Sequence, residues 1–229
     1  MKRHMRFALS LREEPFFRAM SDALLEKMEG FVFHREYEPR QIIRFPDDPW
    51  DYVYWVREGR VKITRKSGDG RELTLRHLVP GDMIGEECIL SGAERDTYAE
   101  AMTPTILCLI RSGDFRRIAR EEAELSLRIA QRLCQRVAEA EQALADIVFR
   151  PVRCRVASGL LRLCKKMPRN EPVILRLTHQ EIGNFVGATR ETTTAVLHEL
   201  KKEGILTIGN RRLTVLDLVA LEHEAGGRG

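Results

Sequence analysis

Apolar residues recur at Leu125, Ile129, Leu133, Val137, Ala140, Leu144 and Ile147, at intervals of 4, 4, 4, 3, 4 and 3. That period draws one stripe along a helix. Neither Pro nor Gly occurs from Asp114 to Arg150, so the pattern predicts a single helix from about Ser112 to Phe149. Arg128, Arg132, Arg136, Glu139 and Glu141 occupy its other faces. Such a helix exceeds the usual three to four turns. Its stripe is expected to pair with the same stripe of a second chain across a two-fold axis; packing only on its own chain is the competing reading. Pro151 has no N–H to donate and ends the helix, so Arg150-Pro151 reads as a hinge.

Upstream, from about Phe31 to Ile110, the period changes to two. Val61, Ile63, Leu73 and Leu75 alternate with polar neighbours, as in half-buried strands. Ser67-Gly68-Asp69-Gly70 lies between those runs and reads as a hairpin loop. Gly59, Gly81 and Gly85 punctuate the rest, which suggests a small antiparallel barrel or sandwich. A short helix is expected at about Ser21 to Glu29, capped by Ser21 or Asp22. Downstream, Val156, Leu160, Leu161, Leu163 and Cys164 form one amphipathic helix. Pro168 and Pro172 bracket a polar loop over Lys165–Glu171, and Val173 to Leu177 reads as a strand. The predicted division is 1–111, 112–150 and 151–229.

The next segment narrows the function. Thr178 with Glu181 three residues on is a capping box opening a helix, whose buried face is Ile182, Phe185 and Val186. Gly187 suits a left-handed turn. Thr189 caps a second helix in which Val196, Leu197 and Leu200 face inward, and Gly204 ends it. This is a helix-turn-helix. Ile205–Ile208 and Leu213–Leu216 are β-rich runs joined by Gly209-Asn210-Arg211-Arg212, a basic-tipped wing. In a major groove the second helix would present Thr189, Arg190, Glu191, Thr192 and Thr194. Arg190 suits guanine O6 and N7, and Glu191 suits cytosine N4. Thr178, His179 and Gln180 would meet phosphate at the first helix's N-terminus, as would Arg211 and Arg212 on the wing.

Composition is consistent with this reading. Hydrophobic residues make up 43%, enough for a core, and the net charge of +4 favours an anionic partner. No apolar run spans a membrane. Arg12, Glu13 and Glu14 interrupt any signal-like core after the basic Met1–Arg6, so a cytoplasmic location is expected. Cys88, Cys108, Cys134, Cys154 and Cys164 include no C-x-x-C pair and are expected to be mostly buried, reduced thiols. There is no Ser-His-Asp order, metal-spaced His pair or P-loop. Glu86 and Glu87, on opposite faces of an expected strand, make a poor acid–base pair. No enzyme is expected. A module whose helical tail contacts only protein is disfavoured by the basic wing and the exposed Arg190-Glu191-Thr192 face.

Thr178–Gly183 and Val186–Thr192 resemble the recognition motif of the CRP/FNR family of bacterial regulators. Pro80–Glu86, with Arg95 nine residues on, is similar to that family's phosphate-binding cassette. The resemblance covers about Phe16 to Leu221. It implies an α+β fold: a cyclic-nucleotide-binding-like β-roll, a long dimerisation helix and a C-terminal winged helix-turn-helix. It also implies a homodimer that reads an inverted repeat of TGTGA-like half-sites on double-stranded DNA, acting as an activator with RNA polymerase.

Departures bear on the effector. Asp96 replaces the serine that holds a cyclic phosphate in cyclic-AMP-responsive members, and Ala140 and Glu141 replace their adenine-binding Thr-Ser pair. Usual cyclic AMP binding is therefore not expected. No cysteine precedes Cys88, so the oxygen-sensing cluster is missing. His34, His77 and Cys88 are the candidates for a haem, though isolated His and Cys residues are more often structural, and no cofactor is expected. Arg95, Arg136 and Glu141 resemble positions used by nitrogen-control members that bind 2-oxoglutarate. The candidate pocket is therefore Gly85, Glu86, Arg95, Asp96, Arg136 and Glu141. It would serve a small acidic metabolite or no effector at all, with Glu86 or Glu141 as a structural partner for Arg136. Ala195 replaces a third base-reading arginine, which implies relaxed preference at one base.

Overall fold

The computed structural model describes residues 11–13, 16–18, 20–92, 96–166, 173–210 and 212–226, with only the backbone for Cys88 and Ile89. Arg95, Arg211 and most of the Lys165–Glu171 loop therefore lie outside the described residues. The chain forms two compact units. One takes the described residues up to Arg65 together with Arg76–Ala138; the other takes Lys66–Leu75 and the chain from Glu139 on.

The β-rich part of the chain consists of α1 (Asp22–Glu29), β1 (Phe33–Tyr37), β2 (Ile42–Arg44), β3 (Tyr52–Glu58), β4 (Val61–Lys66), β5 (Glu72–Leu78), β6 (Met83–Ile84), α2 (Glu86–Ser91), β7 (Tyr98–Ala101), β8 (Thr105–Arg111) and α3 (Ser112–Glu121), all in the first unit except the hairpin tip Lys66–Leu75. Two four-stranded sheets have the orders β1-β8-β3-β6 and β2-β7-β4-β5. Val53 to Val56 on β3 and Leu107 to Ile110 on β8 are all buried, because both faces of these strands are covered. Tyr54, Val56, Leu107 and Leu109 pack with Val61, Ile63 and Leu78. Val53, Trp55, Cys108 and Ile110 pack instead with Phe17, Met28, Phe115 and Ile118. A strand buried on both sides loses its alternation and reads as a continuous apolar run.

The long helix is broken. After α3, Glu122 is extended (φ −112°, ψ 99°) and α4 (Ala123–Phe149) begins afresh. Lys27 Nζ holds the break through Glu121 and Glu122 at 2.7 and 2.8 Å, and the Ser126 hydroxyl donates to the Ala119 carbonyl. Glu124 lies in the first turn of the new helix, where a carboxylate complements the dipole.

The expected stripe divides as well. Leu125 and Ile129 are 0% and 2% exposed within the core of the first unit, with Leu133 packed against it. Leu127, Val137, Leu144 and Val148 are 56–62% exposed. With exposed Ala130, Cys134 and Glu141 they mark a second seam, 127-130-134-137-141-144-148, which has the 3-4 spacing of a heptad. The expected stripe mixed these two faces.

The β4–β5 hairpin also departs from the expected pattern. Leu73 and Leu75 are exposed, and Thr74 and Leu78 point inward. The period of two holds over Leu73–Leu75, but buried Thr74 sets a phase one residue off the expected one, which exchanges the faces, and the alternation ends at His77 and Leu78, both buried.

The second unit contains α5 (Val152–Lys165), β9 (Val173–Leu175), α6 (His179–Val186), α7 (Arg190–Lys202), β10 (Leu206–Gly209), β11 (Arg212–Val215) and α8 (Leu218–Ala225). Its sheet order is β10-β11-β9, with β11 paired antiparallel to both neighbours. Val156, Leu160, Ile182, Val186, Leu197, Leu200, Leu206 and Leu221 are buried here.

Gly159 on α5 fixes how close α6 approaches: a Cβ there would lie 2.5 Å from Val186 Cγ1. Gly159→Ala is expected to cost about 1–3 kcal/mol through overpacking, measured by urea unfolding. Adding Val186→Ala should return part of that loss, less the cost of its own lost burial.

Candidate nucleic-acid interface

The interface is assembled from two capped helices. Thr178 Oγ1 accepts from the Glu181 amide at 3.2 Å, and Glu181 Oε2 accepts from the Thr178 amide at 2.7 Å, which completes the capping box. Gly187 (φ 66°, ψ 44°) is left-handed and closes α6 onto the Gly183 carbonyl. Gly183 is a second constraint: a Cβ there would lie 2.8 Å from the Ala188 carbonyl oxygen and 3.0 Å from Thr193 Oγ1. Thr189 then caps α7, accepting from the Thr192 amide at 3.2 Å.

One face of α7 is buried through Thr193, Val196, Leu197 and Leu200. Thr189, Arg190, Glu191, Thr192, Ala195 and His198 are exposed on the other. The Arg190 and Glu191 side chains make no hydrogen bond or salt bridge among the described residues. The expected partners of phosphate are more constrained. The Thr178 hydroxyl donates to Glu181 at 2.8 Å, which commits its hydrogen to the cap. Gln180 bonds Asn184 at 2.7 Å. His179 Nδ1 lies 2.9 Å from Thr194 Oγ1, and Thr194 donates to the Arg190 carbonyl at 2.8 Å. The wing is a hairpin in which Gly209 pairs with Arg212. Arg212 is exposed, and Arg211 falls outside the described residues.

Two features escaped the sequence reading. His198 packs edge-on against His179, with ring centroids 6.4 Å apart; its place one turn beyond Thr194 was the available signal. Arg153 on α5 binds Glu199 (3.0 Å) and Glu203 (2.6 Å) and also Glu224 of α8 (2.7 Å). These bonds tie the far end of α7 to its support and raise the Arg153 pKa. No sequence spacing links residues so far apart.

Residues 34–122 match the cyclic nucleotide-binding domain family, and residues 154–224 match the Crp-like helix-turn-helix domain family. The transcriptional regulator SdrP of Thermus thermophilus is 33% identical over 84% of this chain and 94% of that protein. The global nitrogen regulator of Synechococcus elongatus is 30% identical over 82% and 88%. A crystal structure of a CRP/FNR-family transcriptional regulator from Thermus thermophilus superposes with a TM-score of 0.73 at 32% identity, covering 86% of this chain and all of that one (100%). The chain belongs to the CRP/FNR family.

These CRP/FNR relatives are transcriptional regulators, a non-enzymatic class. Among the described residues no helix is long and apolar enough to cross a membrane. No group of three or more His, Cys, Asp or Glu is placed to hold a metal ion among them. Of the haem candidates, His34 is on β1 of one sheet, and His77, on β5 of the other, has its Nδ1 3.3 Å from Met102 Sδ. The side chain of Cys88 is not among those described. Cys108 and Cys164 are buried, Cys154 is half-buried and Cys134 is exposed, all four as free thiols.

In this CRP/FNR chain the expected effector pocket is partly filled by its own charges. Gly85 (φ 97°) lies under Trp50, where a Cβ would come within 2.7 Å of the ring. Glu86 and Glu87 open α2 instead of lying on a strand, so they do not diverge. Arg136 Nη1 donates to Glu86 at 2.7 Å, and its two terminal nitrogens grip both oxygens of Glu87 at 2.9 Å. Arg76 approaches Glu87 at 4.0 Å, and Arg132 binds Asp82 at 2.5 Å. Burial and the Glu87 charge push the Glu86 carboxyl up. Burial also opposes ionisation of Glu87, but Arg136 outweighs it and holds that carboxyl down to about 2. Asp96 is exposed and faces Arg65 at 3.5 Å. Glu141 is exposed on the α4 seam, and Arg95 is outside the described residues. Arg76 carries no signal in the sequence, and nothing there ties Glu87, Asp82 and Arg132 to this cluster except one spacing. The four-residue spacing of Arg132 and Arg136 was the signal that both face one way.

Removing one partner of such a cluster leaves uncompensated buried charge. Arg136→Met is expected to lose about 3–5 kcal/mol near neutral pH. A depressed carboxyl stabilises the fold above its unfolded value of 4.5 and ceases to do so as pH falls toward 2. The gap between the two proteins in urea unfolding should therefore close between pH 5 and 2. A gap independent of pH would refute ion pairing as its cause.

Proposed function

We propose that this CRP/FNR regulator acts as a homodimer that reads an inverted repeat of TGTGA-like half-sites, with Arg190 and Glu191 contacting bases. The observation that carries the proposal is the exposed first turn of α7, where Arg190 and Glu191 are uncommitted while the opposite face is buried. Thr189, Thr192 and Arg212 flank that turn or lie on the wing beside it, as contacts to backbone phosphates. Ala195 leaves one base position loosely read. We propose activation through RNA polymerase as the output.

Dimerisation is assigned to the α4 seam. Four large apolar side chains exposed at heptad spacing fit a second copy of the same helix. In a parallel pair about a two-fold axis, Cys134 would meet Cys134 of the second copy.

Regulation without a bound small molecule is the reading favoured for the first unit. Arg136, the cation expected to take an acidic metabolite, is engaged by Glu86 and Glu87. A dicarboxylate would have to displace both. The Asp96 carboxylate would repel a cyclic phosphate.

Arg190→Ala should reduce discrimination between the inverted repeat and random duplex by about 1–3 kcal/mol per half-site, measured by fluorescence anisotropy. Retained discrimination would refute the base contact. Arg212→Ala should weaken both duplexes alike and lower the salt slope by about 1 per half-site. Copper-phenanthroline oxidation should yield a disulfide-linked dimer on a non-reducing gel, and Cys134→Ser should abolish it. Equal cross-linking in that variant would refute the seam.

A further inference from the structure

We infer that His179 takes up a proton when this protein binds DNA, so that its ring donates from Nε2 to a backbone phosphate oxygen. The inference rests on the proposed docking of α7 and deepens it. The Thr194 hydroxyl has a single hydrogen to give. That hydrogen is given to the Arg190 carbonyl at 2.8 Å, the bond a threonine makes to the carbonyl four residues back in a helix. Thr194 Oγ1 can then only accept from His179 Nδ1, 2.9 Å away. The neutral ring is thereby fixed with its hydrogen on Nδ1, and Nε2 carries a lone pair.

A lone pair is the wrong group to face DNA phosphate, whose oxygens are acceptors. Yet the surroundings of His179 are those of an anion site. It is the first residue of α6, and its amide and that of Gln180 have no hydrogen-bond partner among the described residues. Free amides and the helix dipole draw an anion to that end. With Nδ1 donating to Thr194, the ring can also donate to a phosphate from Nε2 only when it is doubly protonated.

In the free protein the second proton is resisted. Burial lowers the His179 pKa below its ordinary 6.5, and the charges of His198 and Arg190, both on α7, lower it further. On α6, Glu181 is occupied by Thr178. A phosphate arriving at this position reverses the balance, so DNA and a proton bind together. Each then strengthens the other, and affinity rises as pH falls through the range between the free and bound values. With one His179 per half-site, uptake is at most two protons per dimer. That limit corresponds to about a hundredfold in affinity per pH unit.

The test is isothermal titration of the full-length protein with the inverted-repeat duplex, in buffers of different ionisation heat between pH 6 and 8. Wild type should take up protons. His179→Arg, permanently charged at the same place, should bind with no uptake and little dependence on pH. His198→Gln should retain uptake. Binding without uptake in the wild type, or equal uptake in His179→Arg, would overturn the inference. So would loss of uptake in His198→Gln alone, which would make His198 the proton acceptor. If the wild type failed to prefer the inverted repeat to random duplex at any pH, the DNA-reading proposal itself would fall. Imidazole nitrogen NMR of the free protein gives a second check: the hydrogen should reside on Nδ1 of His179, and an Nε2–H form would overturn the argument.

Discussion

The second unit depends on the one-sided burial of α7. Thr193, Val196, Leu197 and Leu200 lie against the core, so the opposite face has to look outward. Two constraints keep it from rolling. At its start, the Thr189 cap and the tight Gly183–Ala188 approach fix the angle at which the chain re-enters a helix. At its far end, Arg153 binds two carboxylates of α7 and one of α8. The presentation of Arg190 and Glu191 follows from these interactions, although neither residue takes part in them.

In the first unit the comparable constraint is electrostatic. Glu86 is fully buried with one oxygen lacking a hydrogen-bond partner among the described residues. Such a group is tolerated only beside compensating charge. Arg136 supplies it, and Glu87 shares that guanidinium. The helix that carries the exposed heptad seam thus also neutralises the interior carboxylate of its own β-sheet unit.

Local signals made the recognition elements legible in sequence. The Thr178–Glu181 box, Gly187 and the Thr189 cap each act within four residues, and the wing strands pair across a turn of two residues. The long helix misled for a physical reason. Without Gly or Pro the sequence offers no stop at Glu122, and the break is imposed by Lys27, which is remote in the chain. The stripe misled because Leu125 and Leu127 are equally apolar, and only burial tells the core face from the exposed one. Leu73 and Leu75 were misplaced because alternation gives a period without a phase. The Arg153 and Arg136 clusters join residues about 46 to 71 and 50 positions apart, a range that spacing arguments do not reach.

The two faces of α4 set a limit on how this chain can vary. A single residue inserted between Glu122 and Leu125 would rotate everything after it by roughly 100°. The aliphatic side chains that fill the interior would swing outward, and the outer row would be forced in. Substitutions are open to compensation one at a time, but length in this segment is not. Deletions and insertions should be tolerated in the hairpin tip at Ser67–Gly70 and strongly selected against here.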